Sequence, residues 1–289
     1  MTRALVSADS LETRLVVLDA EGRPLDAHVE RAGMPPPADA VALGRVTGRD
    51  RGMDAVFVDI GLDRPGLLPA RQAAEAGEGD ALAVRVTASP PPGKGAKLTP
   101  AGRSPPRDAT PPCWLHWPDT VAALLDVAAP DEIVAEGEAL VPALRRRVPG
   151  RADAVVAHPG PGPLLDGTEV APEALIAAHA PVPGGGRVCI EPVTSLTAVD
   201  VDTGAGGGRA GHDRAAAEMG ERAAAEVARH IRLRALSGLI VADFPAVERR
   251  EDRRRVTAPL ADAAPELDMA VEPMRASGLV EISRRRARP

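Results

Sequence analysis

The sequence predicts a mixed α+β or α/β protein in which a small closed β-barrel precedes a larger domain of alternating elements. Residues 41–70 contain short alternating strands separated by Gly- and Asp-rich turns, and residues 79–88 add another strand. Several short strands of this kind are typical of a barrel. After residue 112, segments of helical and strand periodicity alternate. With two Phe, two Trp and no Tyr in 289 residues, we expect an aliphatic core.

The front of the chain predicts a hairpin before the barrel and a linker after it. TRLVVLD (13–19) and LDAHVE (25–30) are apolar runs on either side of the turn AEGRP, which favours two paired strands. MPPPAD (34–39) separates this hairpin from the barrel. Residues 89–112 are rich in Pro, and their second half, 101–112, predicts a linker.

The second half of the chain predicts helices and strands in succession. WPDTVAALLDVA predicts a capped helix, DEIVAE a strand, GEALVPALRRRV a helix and ADAVVAH a strand. GRVCIEP and SLTAVDVD predict two strands, followed by the long helix DRAAAEMGERAAAEVARHIRLRALSG with Gly238 as its C-cap. GLIVADF predicts a strand, AVERREDRRRVTAPLADAA a helix, and LDMAVEP and GLVEIS the strands that complete the sheet.

Charge and cysteine usage exclude several classes of protein. The net charge of −6 argues against a chain that binds nucleic acid over its whole surface, although RREDRRR (249–255) and RRRAR (284–288) are local basic runs. Such runs are by default solvated helix faces. Cys113 and Cys189 form no C-x-x-C motif, so we expect reduced thiols. Because no signal-peptide core or membrane-spanning run is visible, we expect a soluble, cytoplasmic protein.

Two strands end in carboxylates. In TAVDVDTGAGGG (197–208), Asp200 and Asp202 lie on one face of a strand, and Asp243 ends the apolar run LIVAD. If the strands are neighbours, the three carboxylates converge at one sheet edge and can hold Mg²⁺, while the following glycines let a phosphate approach. The alternative is that these aspartates are solvated or cap the next element.

Three motifs carry a resemblance to the ribonuclease E/G family. VTSLTAVDVDTGAGG, ARHIRLRALSGLIVADF and SGLVEISRRR are similar to E-x-T-E-A-L-x-x-I-D-V-N-T-G, A-R-Q-L-R-L-R-x-L-G-G-L-I-V-I-D-F and F-G-L-L-E-M-S-R-K-R, which follow in the same order in that family. GRVTGRDRGMDAVFVDIGLDRPGLLPA is similar to the S1-type RNA-binding barrel of the family, and PPPGKGAKLTP to the segment that closes it. The resemblance covers most of the chain.

The resemblance implies a fold of three parts. An S1-type OB barrel (39–100) is inserted in an RNase H-like subdomain, and a DNase I-like catalytic subdomain follows (181–289). The RNase H-like subdomain is formed by 1–38 and 113–180. Residues 101–112 stand where the family has the insert that senses an RNA 5′ monophosphate.

The resemblance also implies site residues. Asp200 and Asp243 fall on the two aspartates that bind the catalytic Mg²⁺, and Asp202 replaces a supporting asparagine. The RNA-binding positions that it implies are Phe57, Lys94, Arg232 and Arg234, although Lys94 is equally a solvated turn residue and the two arginines are equally helix-surface residues.

Several positions depart from the family pattern. Asp268 replaces an arginine that contacts the 5′ phosphate, so, with the insert also missing, we expect no 5′-end sensing. The zinc-link motif C-P-x-C is not reached, so oligomerisation by that route is not expected. Leu67 replaces a second barrel aromatic, and Gly220 and Arg222 replace the polar residues of an N-x-E-A motif.

These observations leave three functions open. The first is an Mg²⁺-dependent endoribonuclease that cleaves single-stranded RNA during RNA processing or decay and leaves 5′-phosphate and 3′-hydroxyl ends. The second, which the departures from the family pattern suggest, is a catalytically weak or inactive RNA-binding or regulatory protein. The third is a metal-dependent phosphohydrolase that acts on a smaller substrate.

Overall fold

The computed structural model describes residues 1–73, 75–91, 93–102, 108–160, 164–165, 177–203 and 212–286. The chain forms two compact units. The sheet unit comprises Met1–Glu30 and Ala128–Arg285, and the barrel unit comprises Arg31–Val127 with the C-terminal end from Arg286. The glycines predicted to admit a phosphate and part of the linker lie outside the described residues.

The strands and helices follow in chain order. The first part contains β1 (Arg3–Ala8), β2 (Glu12–Leu18), β3 (Pro24–Arg31), β4 (Val41–Asp50), β5 (Ala55–Asp59), β6 (Gly66–Pro69), β7 (Ala81–Ala88), β8 (Lys97–Pro100) and β9 (Cys113–His116). The second part contains α1 (Thr120–Ala128), β10 (Glu132–Ala135), α2 (Val141–Arg147), β11 (Val155–Ala157), β12 (His179–Pro181), β13 (Arg187–Pro192), β14 (Thr197–Asp202), α3 (His212–Leu233), β15 (Gly238–Asp243), α4 (Arg250–Leu267), β16 (Met269–Val271) and β17 (Leu279–Arg284).

The first sheet of the sheet unit has the order β11-β10-β1-β2-β3. The predicted hairpin is β2 and β3. Strand β1, which the sequence pattern did not reveal, pairs antiparallel with β2 and parallel with β10. Its four central residues are all buried, because a central strand covered on both faces shows no alternation of apolar and polar residues.

The barrel unit contains a closed ring of five strands. Strands β4, β5, β6, β8 and β7 pair in turn, and β4 pairs with both β5 and β7, which closes the ring. The predicted small barrel is therefore confirmed. Strand β9 adds a further pairing to β4, from Cys113–His116 to Val41–Leu43. The barrel unit extends to Val127, and the predicted domain bounds, with a barrel of 39–100 and a linker of 101–112, stay a prediction.

The helix α1 was predicted as a capped helix. Asp119 precedes it, and its carboxylate Oδ1 accepts a hydrogen bond of 2.8 Å from the backbone N–H of Ala122. This bond satisfies a backbone donor that the first helical turn leaves free.

The second sheet of the sheet unit has the order β12-β13-β14-β15-β17-β16. Helices α3 and α4 pack on one of its faces, where Val199, Val201, Ile240 and Ala242 of the sheet share an apolar core with both helices. The opposite face of β14 and β15 carries the exposed residues. We call this exposed side of the sheet the open face.

The C-terminus of α3 differs from the prediction. Gly238 is not the C-cap, because the helix ends at Leu233 and Gly238 begins β15. Ala235 adopts the left-handed conformation instead, with φ 49°. The N–H of Ala235 bonds to the carbonyl of Arg232, and the N–H of Leu236 to that of Ile231. This is the bonding pattern of a Schellman motif, with Ala at the position that Gly usually takes.

Arg284 of β17 stabilises the ends of both long helices. Its guanidinium donates hydrogen bonds to the carbonyls of Ile231, Leu236 and Leu267, at 2.8–3.0 Å. The last carbonyls of a helix have no partner within it. One side chain at the end of β17 therefore holds both helices against the sheet.

Candidate active site

Asp200 and Asp243 lie side by side on the open face. Strands β14 and β15 are parallel neighbours, and Asp200 is the register partner of Asp243. Adjacent strands are about 4.8 Å apart, and in-register residues of parallel strands project to the same face. Both aspartates are exposed, whereas Val199 and Ala242 beside them are buried. The predicted neighbourhood of these two strands is confirmed.

A depression of ≈ 420 Å³ surrounds the two aspartates. Its polar lining also includes Glu191 and Cys189, and Cys189 is the register partner of Asp200 on β13. Neither residue was predicted from the sequence. The signal was present, because positions 189 and 191 alternate with the buried Val188 and Ile190, as expected for residues facing away from the core.

The Cys189 thiol is held in its protonated form. Desolvation raises the pKa of Cys189, and the hydrogen bond to Glu191 and the charges of Glu191 and Asp200 raise it further, against an opposing effect of Arg187. The sulfur lies 3.6 Å from Glu191 Oε1. A thiol binds metals as its thiolate, so a protonated Cys189 is not a metal ligand. The carboxylate oxygens of the depression therefore determine which metal ion the depression prefers.

Asp202 does not join the other two aspartates in a three-carboxylate cluster. Its Oδ2 lies 3.0 Å from Nη2 of Arg187, its register partner on β13. Among the described residues, no group of three or more His, Cys, Asp or Glu side chains is arranged to hold a metal ion. The expected convergence of three carboxylates is therefore corrected to a pair, Asp200 and Asp243.

This pair fits a hard divalent cation. Mg²⁺ binds oxygen ligands, is commonly held through one or two carboxylates, and keeps several water molecules. Two exposed carboxylates on rigid neighbouring strands match that requirement. They do not match a structural Zn²⁺ site, which needs four protein ligands.

Gly278 shapes the site beside Asp243. A Cβ atom on Gly278 would lie 2.1 Å from the carbonyl oxygen of Phe244 and 3.2 Å from Asp243 Oδ1. The backbone φ of Gly278 is +102°, which also favours glycine. The absence of a side chain here lets the turn before β17 lie directly against the end of β15.

The barrel unit carries the predicted RNA-binding residue Phe57 in a row of in-register side chains. Phe57 of β5 is the register partner of Leu67 of β6, which is in turn the partner of Lys97 of β8. Phe57 and Leu67 are half-buried and Lys97 is exposed. Lys94, the lysine named from the sequence, is exposed in the turn before β8, and its contact with RNA stays a prediction.

The predicted arginines at the end of α3 and just after it make contacts within the sheet unit. Arg232 forms an ion pair with Glu266 of α4. Arg234 donates from Nε to Nδ1 of His230 at 3.0 Å, and desolvation and the nearby Arg229 lower its pKa. Contact of these arginines with RNA therefore stays a prediction.

Three residues that depart from the family pattern lie against other side chains of the sheet unit. Gly220 lies where α3 meets α4, and a Cβ on it would be 2.9 Å from Val256. It is therefore on the face of the sheet opposite Asp200. Arg222 Nη2 lies 3.8 Å from the sulfur of Met219. Asp268 pairs with Nε of Arg285 at 3.0 Å.

No helix among the described residues is both long enough and apolar enough to span a membrane.

Comparisons with known proteins agree with the motifs of the sheet unit. Ribonuclease G of Escherichia coli (strain K12) is 31% identical over 155 residues, which are 52% of this chain and 32% of that protein. A chloroplastic ribonuclease E/G-like protein of Arabidopsis thaliana is 32% identical over 153 residues, or 50% of this chain and 15% of that protein. Ribonuclease E of Nostoc sp. (strain PCC 7120 / SAG 25.82 / UTEX 2576) is 37% identical over 111 residues, or 36% and 16%.

The matched stretch thus covers no more than 32% of any of these three relatives. A family model described as the ribonuclease E/G family matches residues 132–287, which is more than half of the chain. The chain belongs to the ribonuclease E/G family.

Proposed function

We propose that this protein is an Mg²⁺-dependent endoribonuclease that cleaves single-stranded RNA. The observation that carries the proposal is the in-register pair of Asp200 and Asp243 on the open face, at the two positions where the family resemblance implies the metal-binding aspartates. Membership of the family supports RNA as the substrate.

The residues of this chain have separate tasks in the proposed reaction. Asp200 and Asp243 would hold Mg²⁺, which when bound activates a water molecule and neutralises charge that develops on the phosphodiester. Gly278 keeps the turn beside Asp243 free of side-chain atoms. Arg187 compensates the charge of Asp202. The products would carry 5′-phosphate and 3′-hydroxyl ends.

The barrel would bind the RNA strand. Phe57 offers a ring on which a base can stack, a contact worth about 1–3 kcal/mol in other proteins. Lys97 offers a cation in the same row of residues. With Leu67 between them, the platform has one aromatic side chain, so we expect weak sequence preference and salt-dependent binding.

The three parts of the fold support the subdomains that the resemblance implies. We assign the barrel to an S1-type OB fold, because its ring order β4-β5-β6-β8-β7 is that of a closed five-stranded barrel. We assign the first sheet, with parallel β1, β10 and β11, to the RNase H-like subdomain. The second sheet, which carries the aspartates, is assigned to the DNase I-like subdomain.

We also propose that cleavage does not depend on a 5′ monophosphate. The position of the family arginine is occupied by Asp268, whose carboxylate repels phosphate and is paired with Arg285. The stretch that replaces the sensor insert is short.

Cleavage of a short AU-rich single-stranded RNA with Mg²⁺ tests both proposals, using 5′-monophosphate and 5′-hydroxyl forms. We expect equal cleavage of the two forms and a loss of at least about a thousandfold in Asp200→Asn and Asp243→Asn, since several kcal/mol of charge stabilisation depend on the metal. Asp262→Asn is the matched control, because Asp262 is an exposed residue of α4 on the opposite side of the sheet.

Two outcomes would count against the proposal. Cleavage that survives in both Asp200→Asn and Asp243→Asn would contradict the metal assignment. RNA binding without cleavage in the unmodified protein would instead favour the RNA-binding or regulatory function.

A further inference from the structure

A second cavity lies in the sheet unit, away from the aspartate pair. It has a volume of ≈ 710 Å³ and lies between the start of β3, the edge strand β12 and helix α3. Its lining contains two arginines and two histidines, together with apolar residues that include Pro24, Val182 and Leu233. The basic lining residues are Arg23, His179, Arg229 and His230.

The two arginines of this cavity share one carboxylate. Arg23 and Arg229 both form an ion pair with Glu226, whose side chain is 4% exposed. Arg229 also donates from Nη1 to the carbonyl of Pro24 at 3.0 Å, so its guanidinium is fixed in place. The Arg23 side chain is 44% exposed and lines the cavity.

His230 of the cavity wall lies between two arginines. It is 4% exposed, and its Nε2 lies 3.1 Å from Arg229 Nη2 while its Nδ1 accepts from Arg234 Nε. A neutral imidazole has one acceptor nitrogen, so it can accept from only one of these two guanidinium groups at a time. Donors therefore outnumber acceptors at this wall.

Arg234 adds another hydrogen-bond donor, in the interior behind the cavity wall. Its Nη2 is buried without a hydrogen-bond partner among the described residues. Burial, Arg229, Arg234 and Arg23 together lower the pKa of His230 to about 3, so the imidazole is neutral at pH 7. Glu226, which contacts both Arg23 and Arg229, comes from the same helix as Arg229 and His230.

We propose that this cavity binds a phosphate group, with Arg23 and Arg229 supplying charge-assisted hydrogen bonds and His179 standing at the rim. A guanidinium presents a planar fork of donors that matches phosphate oxygens. The volume of the cavity lies in the range of small-molecule sites, and its apolar walls suit the remainder of a nucleotide-sized ligand. The site is independent of the aspartate pair and of whether the protein cleaves RNA.

The test is calorimetric titration with inorganic phosphate at pH 7, with sodium chloride adjusted to constant ionic strength. Ala177→Glu places a carboxylate in the cavity lining without removing any of the basic contacts. Ala178→Glu is the matched control, since Ala178 is the exposed neighbour that does not line the cavity. Circular dichroism checks that both variants are folded.

We expect phosphate to bind the unmodified protein. Ala177→Glu should weaken binding by at least about tenfold, a factor that corresponds to about 1.4 kcal/mol, while Ala178→Glu should change it less than about twofold. No saturable binding of phosphate would overturn the proposal. So would equal weakening in the two variants, because a surface charge alone would then explain the change.

Competition experiments distinguish the sources of the phosphate. Displacement of inorganic phosphate by adenosine monophosphate, but not by a short 5′-hydroxyl RNA, identifies a site for a small phosphate ligand. Displacement by the RNA, weakened in Ala177→Glu, identifies a site for the RNA backbone. Because binding is measured without Mg²⁺ or turnover, its failure is distinguishable from failure of the cleavage proposal.

Discussion

Individual residues place the carboxylate pair and also limit which side chains can surround it. Gly278 is the clearest case, because the space that its Cβ would occupy is already filled by the Phe244 carbonyl and lies next to Asp243. A side chain at this position would therefore displace the end of β15, which carries the proposed metal ligand Asp243. Backbone geometry at one glycine is thereby linked to the geometry of the site.

The first prediction concerns Gly278→Ala. We expect it to lower the free energy of unfolding by about 3 kcal/mol, from backbone strain together with the collision at Phe244, and to reduce cleavage. Gly238→Ala is the control: its φ is also positive, at +82°, but nothing lies within 4 Å of its Cβ position. Urea unfolding of both variants measures the difference, and equal destabilisation would contradict the role assigned to the contact.

The second prediction concerns His230 and pH. Folding lowers the pKa of His230 from 6.5 to about 3, so between these values the unfolded chain binds more protons than the folded one. Stability contributed by the neutral imidazole is therefore lost as the pH falls from 6.5 towards 3. His230→Gln, the residue in the family motif, removes this titration.

The measurement compares urea unfolding of the unmodified protein and His230→Gln at pH 7 and pH 5. Between these pH values the unmodified protein should lose about 2 kcal/mol more than the variant. Parallel losses in the two proteins would show that other groups set the pH dependence.

At the scale of elements, the end of α3 depends on an unusual capping residue. Ala235 takes the left-handed conformation with φ 49°, which costs a non-glycine residue roughly 1–2 kcal/mol. Gly238 was predicted as the cap, because glycine is the usual residue at this position. The tertiary contacts of Arg284 with the carbonyls of Ile231 and Leu236 explain why the helix ends earlier.

The third prediction follows from this strain. Ala235→Gly should stabilise the protein by about 0.5–1 kcal/mol, because glycine adopts positive φ without steric cost, offset in part by unfolded-chain entropy. Ala225→Gly, at an exposed position inside α3, should destabilise it by about 1 kcal/mol. Thermal unfolding of the two variants checks the sign, and a shift in the same direction for both would contradict the assignment.

Strand elements differed in how well their sequences predicted them. Strands β14 and β15 alternate buried and exposed residues, and this period of two is visible in the sequence. Strand β1 is buried along its centre, and β9 and β12 are only three or four residues long. Short or fully buried strands carry no periodic signal, so their existence depends on partners elsewhere in the chain.

At the scale of the whole molecule, two units share one chain. The barrel unit is inserted between β3 and β10, which belong to the same sheet. Strand β9 pairs with β4, and the half-buried Trp114 packs against the barrel core. The barrel predicted from the sequence ends at residue 100 and therefore does not include β9.

The fourth prediction uses this boundary. A fragment of residues 31–127 should unfold cooperatively in urea, and a fragment of residues 31–112 should be less stable by roughly 2–3 kcal/mol. The shorter fragment loses the strand on β4 and the burial of Trp114. Far-ultraviolet circular dichroism follows both transitions, and coincident midpoints would show that β9 contributes nothing to the barrel.

The sequence by itself determined the features that depend on neighbouring positions. The period of two put Asp200 on the exposed face of its strand and Asp243 on that of another, and the ordered motifs identified the family. These inferences succeed because side-chain direction is set by local backbone geometry.

Only the tertiary structure decided which distant residues meet. It put Asp200 in register with Asp243, gave Asp202 to Arg187, and brought Arg23 to Glu226, which is 203 positions away. Strand register and ion-pair partners arise from packing between segments remote in sequence. No local pattern of residue types carries that information.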